Sequence, residues 1–264
     1  MIQKIADLQP AILLFLLVFM YSIEQLSPYL AKPADRKHHD INNFILTFLS
    51  IIVNGLIGIA VVFIVLYTGE HQLGLFNKVN LPVPLEIVGG VLLLDFNSYC
   101  FHNLFHKVPF LWRIHRVHHS DLNLNTSTSL RFHPLEVVLS QGIFVCFGIV
   151  VIGVSMTTFI IYSTLGLIFV ITQHSNIRFP GWFEKYGRYI FSTPGWHKIH
   201  HAEDQILTDS HYGDIFTFWD RIFNTWKPAQ PEDIKYGLKE FNSKERQSVL
   251  FLLKSPFVDV TKTK

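Results

Sequence analysis

The sequence predicts an all-α integral membrane protein, a bundle of four to five membrane segments beneath a cytosolic, histidine-rich helical cap. Three observations predict it. The 264 residues are 49% hydrophobic and only 16% charged. The apolar residues are gathered into runs of near-spanning length. Eight of the 14 histidines stand in three tight groups at helical spacing.

The elements follow in order. Ala11 to Tyr29 is an apolar run with Glu24 inside it. An apolar run after Lys4 resembles a secretory signal, but no small-x-small site follows Met20, and Pro28 and Tyr29 lead into a basic loop, so an uncleaved span is expected. Phe44 to Tyr67 carries no charge and reaches roughly 36 Å as a helix, enough to cross a bilayer with some tilt. Leu85 to Phe101 carries Glu86 and Asp95. Val137 to Val154 and Met156 to Thr172 are uncharged and meet at Gly153 to Met156, which predicts a tight hairpin. After Pro228 the chain turns polar, and Ser243 to Leu253 reads as a short amphipathic helix that packs or lies at the bilayer surface.

Charge sets the orientation. The loop Lys32 to His39 carries Lys32, Arg36 and Lys37, whereas Gly69 to Pro84 carries only Lys78, so the positive-inside rule places the first loop in the cytoplasm. The third span then returns the chain there at about His102, beside Lys107, Arg113, Arg116 and Arg131. An even number of crossings must separate His102–His119 from His197–His201 if they share a site, and the hairpin supplies two. Spans and histidine segments cannot bury their surfaces separately. One domain over 1–264 is therefore expected, with N-terminal spans in 11–67, a histidine core at about 91–226 and a cytosolic tail at 227–264. No internal repeat is evident.

Several classes are excluded. Cys100 and Cys146 make no disulfide framework and lack metal-site spacing. The net charge of +2 says little about partners. There is no Gly-rich phosphate loop, no nucleotide fingerprint and no pattern of a nucleic-acid binder.

The histidines carry the chemistry. His102 and His106 read H-N-L-F-H, His115, His118 and His119 read H-R-V-H-H, and His197, His200 and His201 read H-K-I-H-H. Positions i, i+3 and i+4 share a helix face, so each group converges. Protonated neighbours repel and neutral ones cost desolvation; a metal removes that penalty, because neutral imidazole is its commonest nitrogen ligand. His174 opens the segment after the hairpin and returns to the same face. Eight or nine ligands suit two ions. His133, in R-F-H-P, positions a loop, stands behind the ligands or joins them, while His38, His39 and His71 are expected in solvated loops. Asp95 lies seven residues before His102 on the same helix face, where a carboxylate accepts the second ring N–H of a ligand or bonds a neighbouring span. Glu24 poses the same question without a neighbouring motif. Asp214 and Asp220 are candidate partners of the ligands or helix caps.

Asp95, H-N-L-F-H, L-W-R-I-H-R-V-H-H-S, S-T-P-G-W-H-K-I-H-H and W-D-R-I-F, in this order from about Val91 to Trp226, resemble the fatty acid hydroxylase/sterol desaturase superfamily of membrane di-iron oxygenases. The resemblance implies that His102, His106, His115, His118, His119, His174, His197, His200 and His201 bind two non-haem irons. It implies that dioxygen serves to hydroxylate or desaturate a lipid such as a fatty acyl chain or sterol. Ether-lipid monooxygenases and sterol methyl oxidases share these motifs. Members often carry Asn before the Tyr-Gly after the last group; here His211 stands in S-H-Y-G and takes that role or adds a ligand. F-N-T-W replaces the usual Phe-Gly-Thr, a change confined to a turn. His133–Pro134 is not a cytochrome haem segment and no flavin or ferredoxin motif occurs, so electrons are expected from a separate donor protein. From a different class, a membrane zinc hydrolase of lipid amides or esters needs three ligands plus water and lacks its H-E-x-x-H here. A metal carrier needs ligands along a path through the spans.

Overall fold

Among the described residues the apolar runs form five helices long and apolar enough to cross a membrane. The computed structural model describes residues 2–31 and 35–260, and only the backbone of residues 2–6. In chain order the long helices are α1 (Ile2–Leu26), α2 (Arg36–Glu70), α3 (Val83–Lys107) and, after the cap helix α4 (Pro109–His119), α5 (Pro134–Ile152) and α6 (Met156–His174). The short helices α7 (Gly181–Tyr186), α8 (Pro194–His200), α9 (Gln205–Thr208), α10 (Phe218–Ile222) and α11 (Val249–Lys254) complete the cap. Among the described residues β-pairing is limited to isolated bridges.

Packing fixes the directions. Gln9 Nε2 of α1 donates to Ser163 Oγ at 2.9 Å and Thr164 Oγ1 at 2.8 Å, and Met20 packs with Ile171 and Ile177, so α1 runs parallel to α6. Helix α2 is 35 residues long, roughly 52 Å at 1.5 Å per residue, well beyond a hydrocarbon core of about 30 Å. Its C-terminal half packs Val61 and Val65 against Leu94, Ile149 and Ile152. Its N-terminal part continues into the cap, where Leu46 meets Val117, Phe241 and Leu252. Helix α5 includes a π-helical stretch, Val138–Val145, and Asn97 Nδ2 of α3 donates to the Phe144 carbonyl at 3.1 Å.

The end remote from the cap is closed by the predicted hairpin. Gly153 ends α5 at φ 76°, and Ser155 caps α6 by accepting from the Thr158 N–H. Glu86 of α3 accepts from Ser155 Oγ at 3.1 Å and Thr158 Oγ1 at 2.7 Å, which fixes three helix ends together.

Several expectations are corrected here. The basic loop ends by Asp35: His38 and His39 form the first turn of α2 because Arg36 pairs with Asp40 one turn on, at 3.0 Å. His39 is held between Asp40 Oδ1 at 2.9 Å and Asp121 Oδ1 at 2.6 Å rather than solvated. Lys32 and the Lys4 side chain lie outside the described residues. Glu24 is a structural tie: fully buried, it accepts from Arg36 Nη2, from Thr126 N and Oγ1, and from Asn176 N, joining α1 to two cap loops. The amphipathic helix expected over 243–253 is shorter, since Ser248 caps it by accepting from the Phe251 N–H. Leu252 faces the cap core while Leu250 projects outward.

A methyl group on Gly153 would meet the Leu73 carbonyl at 2.6 Å, at a φ that L residues rarely adopt. Gly153→Ala is expected to destabilise the detergent-solubilised chain by more than about 1 kcal/mol, read as a lowered thermal midpoint; Gly166→Ala, with nothing near its added carbon, leaves the midpoint unchanged or raised.

Candidate metal centre

Four helices end at one place. His102 and His106 occupy the last turns of α3, which stops where Pro109 starts α4 in a new direction. Helix α4 ends in His115, Arg116, Val117, His118 and His119. Helix α6 ends at His174. Helix α8, begun by Pro194 and capped by Thr193 accepting from the Trp196 N–H, carries His197 and His200, and His201 follows as its C-cap. Unpaired carbonyls at helix C-termini carry partial negative charge, so all four ends favour a cation.

The nine imidazoles make two cages. His102, His106, His115, His119 and His200 form one, and His118, His174, His197 and His201 the other, with candidate ligand nitrogens in each within 4.8 Å of one another. In the first, the Nε2 atoms of His200 and His102 are 2.9 Å apart, and those of His119 and His115 are 3.1 Å apart. In the second, His174 Nε2 stands 3.0 Å from both His118 and His197 Nε2 and 3.2 Å from that of His201. The two triplets are shared crosswise. Members four apart stay together (His115 with His119, His197 with His201), while His118 and His200 enter the opposite cage. The rings of His119 and His201 stack at 4.5 Å and form the common wall.

Protons cannot satisfy this arrangement. His174 Nδ1 donates to the Val170 carbonyl at 2.6 Å, so its Nε2 offers a single lone pair. Three other Nε2 atoms crowd that lone pair, and two of these, on His197 and His201, are themselves 3.2 Å apart. A cation accepts all four lone pairs at once. Two nitrogens about 2.0–2.1 Å from one ion stand about 3 Å apart at right angles, the spacing seen in both cages. Burial, then the neighbouring imidazoles, hold His118, His119, His197, His200 and His201 well below the ordinary histidine pKa, in the neutral form that ligates.

The outer nitrogens differ between the cages. In the first, His102 Nδ1 bonds the Tyr212 carbonyl at 2.9 Å, His106 Nδ1 Asp209 at 3.2 Å, His115 Nδ1 Glu136 at 2.5 Å and His200 Nδ1 the Ser210 carbonyl at 2.7 Å. Among the described residues, His119 Nδ1 is the one outer nitrogen of the first cage buried without a partner, whereas in the second only His174 has one and the Nδ1 atoms of His118, His197 and His201 are buried without. Bonds of this type fix ring orientation and raise ligand basicity.

The remaining candidates have other tasks. Of the two roles open to Asp95, accepting from a ligand histidine is not the one observed among the described residues. Its carboxylate accepts from the Ile215 N–H at 3.0 Å, the Phe216 N–H at 3.3 Å and Trp219 Nε1 at 2.9 Å, because the segment after Tyr212 packs against α3 and brings these donors to it. It thus acts one step removed, holding the segment that presents the Tyr212 carbonyl to His102. Asp220 braces the same turn, accepting from Tyr212 N, Gly213 N and Thr225 Oγ1, and burial raises its pKa to about 6. Asp214 lies 3.7 Å from His102 Nδ1 and accepts from Ser98 Oγ at 2.5 Å. His211 stands outside both cages at φ 58°, a conformation that Asn adopts more readily than most residues, with its ring edge-on to Trp196 at 4.3 Å. His133 positions the loop before α5, accepting from the Leu135 N–H at 3.1 Å and bonding the Leu253 carbonyl through Nε2. Sequence reasoning missed Glu136 and Asp209; a carboxylate opening an apolar run at Glu136 was the only available signal.

The fatty acid hydroxylase family model matches residues 87–225, more than half of the chain. Human alkylglycerol monooxygenase is 28% identical over 167 residues, 62% of this chain and 36% of that protein. Ornithine lipid hydroxylase OlsE of Rhizobium tropici is 25% identical over 181 residues, 67% of this chain and 51% of that protein. Human cholesterol 25-hydroxylase is 26% identical over 154 residues, 54% and 52% of the two chains. The chain spans about a third of the length of the alkylglycerol monooxygenases it matches. No solved structure matches it.

Glu136→Gln keeps the volume behind His115 but removes the charge, and is expected to lower metal affinity about 10- to 100-fold in chelator competition, with His133→Ala unchanged; equal retention in both variants would remove Glu136 from the account. The depressed histidines also fix a pH dependence of the metal-free chain. Below about pH 6.5 the unfolded chain binds protons that the folded cages refuse, so stability falls with falling pH. The thermal midpoint of metal-free protein is expected to drop between pH 7 and pH 5, and a midpoint that rises over that interval would contradict neutral cages.

Proposed function

The chain belongs to the fatty acid hydroxylase family, and on that premise we propose that it is a membrane-bound di-iron oxygenase that uses dioxygen and electrons from a separate donor protein to hydroxylate a lipid. The observation that carries this reading is the pair of adjacent, all-imidazole cages sharing the His119–His201 wall. Two irons so held would supply the reductive activation of dioxygen and the removal of hydrogen from an unactivated C–H bond. The rest is the work of the chain.

In this reading the nine histidines are the metal ligands. Neutral donors leave the ions' charge uncompensated by the first ring of contacts, and Glu136 and Asp209 return part of it at the far side of His115 and His106. Those carboxylates and the Tyr212 and Ser210 carbonyls hold the Nδ1 protons, so that Nε2 of each of these rings is left to ligate. Phe105 and Trp112 pack on rings of the first cage and Phe132 on His118 of the second, which limits water at both. The cages lie at the ends of α3 and α6, two candidate spans. An apolar substrate can therefore approach through the bilayer while the donor meets the cap. The charge asymmetry of the flanking loops supports a cytoplasmic cap.

Five and four nitrogen donors disfavour the zinc hydrolase, which needs three protein ligands and an open position. The names of the relatives support hydroxylation over desaturation. Among lipids, the likeness to alkylglycerol monooxygenases favours a second, narrower reading in which the substrate is a glycerol ether lipid.

The test is reaction of the iron-loaded, lipid-reconstituted chain with a reductant and ¹⁸O-labelled dioxygen, offered acyl phospholipid, alkylglycerol and sterol together. One labelled oxygen atom is expected in a lipid product, lost to background in His118→Ala and His200→Ala while both variants remain in the membrane. Label confined to the alkylglycerol product selects the ether-lipid reading. Full incorporation in either histidine variant would sink the ligand assignment.

A further inference from the structure

Two arginines share one indole, that of Trp196, the residue before His197. Arg221 Cζ lies 4.5 Å from the centre of the Trp196 ring and 4.6 Å from that of Tyr189, and Arg188 Cζ lies 5.2 Å from Trp196. The shared ring places the two cations within about 10 Å of each other, each stabilised by an aromatic face but not neutralised by it. Among the described residues neither has a carboxylate within ion-pair distance. The acids of the same segments are turned to other work: Asp220 braces the Tyr212–Gly213 turn, and Glu184 accepts from Thr193 Oγ1 and Gly195 N. Arg221 donates weakly to Thr217, at 3.3 Å, and the Arg188 side chain has no hydrogen bond among the described residues. Both guanidinium forks thus keep free N–H groups, and each is only partly buried.

Their place in the fold says what completes them. The Ile190 carbonyl accepts from Thr217 N and the Ile215 carbonyl from Ser192 N, so the two arginine-bearing segments are paired. Asp95 of the candidate span α3 fastens that pair to the bundle through Ile215, Phe216 and Trp219. Around the arginines, Trp182, Tyr186, Tyr189, Ile190, Ile222 and Phe223 are each at least 50% exposed. Cations beside outward-facing Trp, Tyr and aliphatic side chains, anchored to a spanning helix, fit the interfacial layer of a bilayer, where apolar contact and phosphate are both at hand.

We propose that Arg188 and Arg221 form a seat for the phosphate of an anionic phospholipid, with the surrounding aromatic and aliphatic side chains in the interfacial layer of the same leaflet. Planar guanidinium forks match phosphate oxygens, and charge-assisted bonds to phosphate would add to the partial compensation that Arg221 receives from Asp220. The seat rests on insertion in a membrane and not on oxygen chemistry, so lipid binding tests it whatever reaction the cages perform.

The experiment is native mass spectrometry of the detergent-purified full chain titrated with phosphatidylglycerol, phosphatidylcholine or inorganic phosphate. Wild type is expected to prefer phosphatidylglycerol about tenfold; the double variant Arg188→Gln/Arg221→Gln should bring the two lipids within about twofold of each other. Arg178→Gln, at an exposed arginine paired with Glu232, should keep the full preference. An undiminished preference in the double variant overturns the proposal. So does displacement of phosphatidylglycerol by an equal concentration of inorganic phosphate, which would mark a site for free phosphate. Should the double variant not fold, Arg188→Gln alone decides, because among the described residues its guanidinium rests on the Trp196 face and makes no side-chain hydrogen bond or ion pair: a several-fold loss supports the seat and an unchanged preference overturns it.

Discussion

The arrangement of this chain turns on a set of buried imidazole nitrogens crowded into two groups, within reach of a shared cation in each. Nine buried rings cost free energy alone, and in the proposed reading two ions taking their lone pairs would offset that cost. The helix ends that deliver them add a smaller term in the same direction, about 0.3–1 kcal/mol per C-terminus. That is modest beside the roughly 10–16 kcal/mol of a structural metal site, so the convergence of α3, α4, α6 and α8 is best understood as geometry. Ending a helix at the site lets a single i, i+4 pair aim inward while the i+3 residue reaches the second cage.

Holding four ends together needs a second network. Glu24, Arg36, Asp40, His39, Asp121 and Arg131 run from α1 and α2 into the loop just after His119, with Asn43 and Asn125 filling the remaining acceptors. Burial pushes the Asp121 carboxyl up, but His39 and Arg131 outweigh it and keep it ionised. Such a chain of paired charges rigidifies when complete and is costly when one member is removed. Its position explains why α2 is far longer than a span. The extra turns are the post against which the cap is built.

Much of this was legible in the sequence, for particular reasons. The hairpin at Gly153, the apolar runs and the nine histidines are local signals, written in composition and spacing. What spacing did not reveal was the crosswise sharing, since residues at i, i+3 and i+4 lie on one face whether they serve one ion or two. The partners of ring nitrogens were hidden for a different reason. Asp95 was nearest to His102 along the chain, but Glu136, Asp209 and two backbone carbonyls reach the rings through loops that pack from elsewhere. His39 was misread because a short charged stretch looks like a loop until Asp121, far along the chain, turns out to meet it.

The most direct measurement is the identity and number of metal ions in chain produced with ample iron and purified without oxygen. Two adjacent cages of five and four imidazole nitrogens, in a chain of the fatty acid hydroxylase family, predict about two irons per chain, with a magnetically coupled signal on oxidation. One tightly held zinc, with no iron after iron supplementation, would contradict the account at its centre and return the chain to the hydrolase reading.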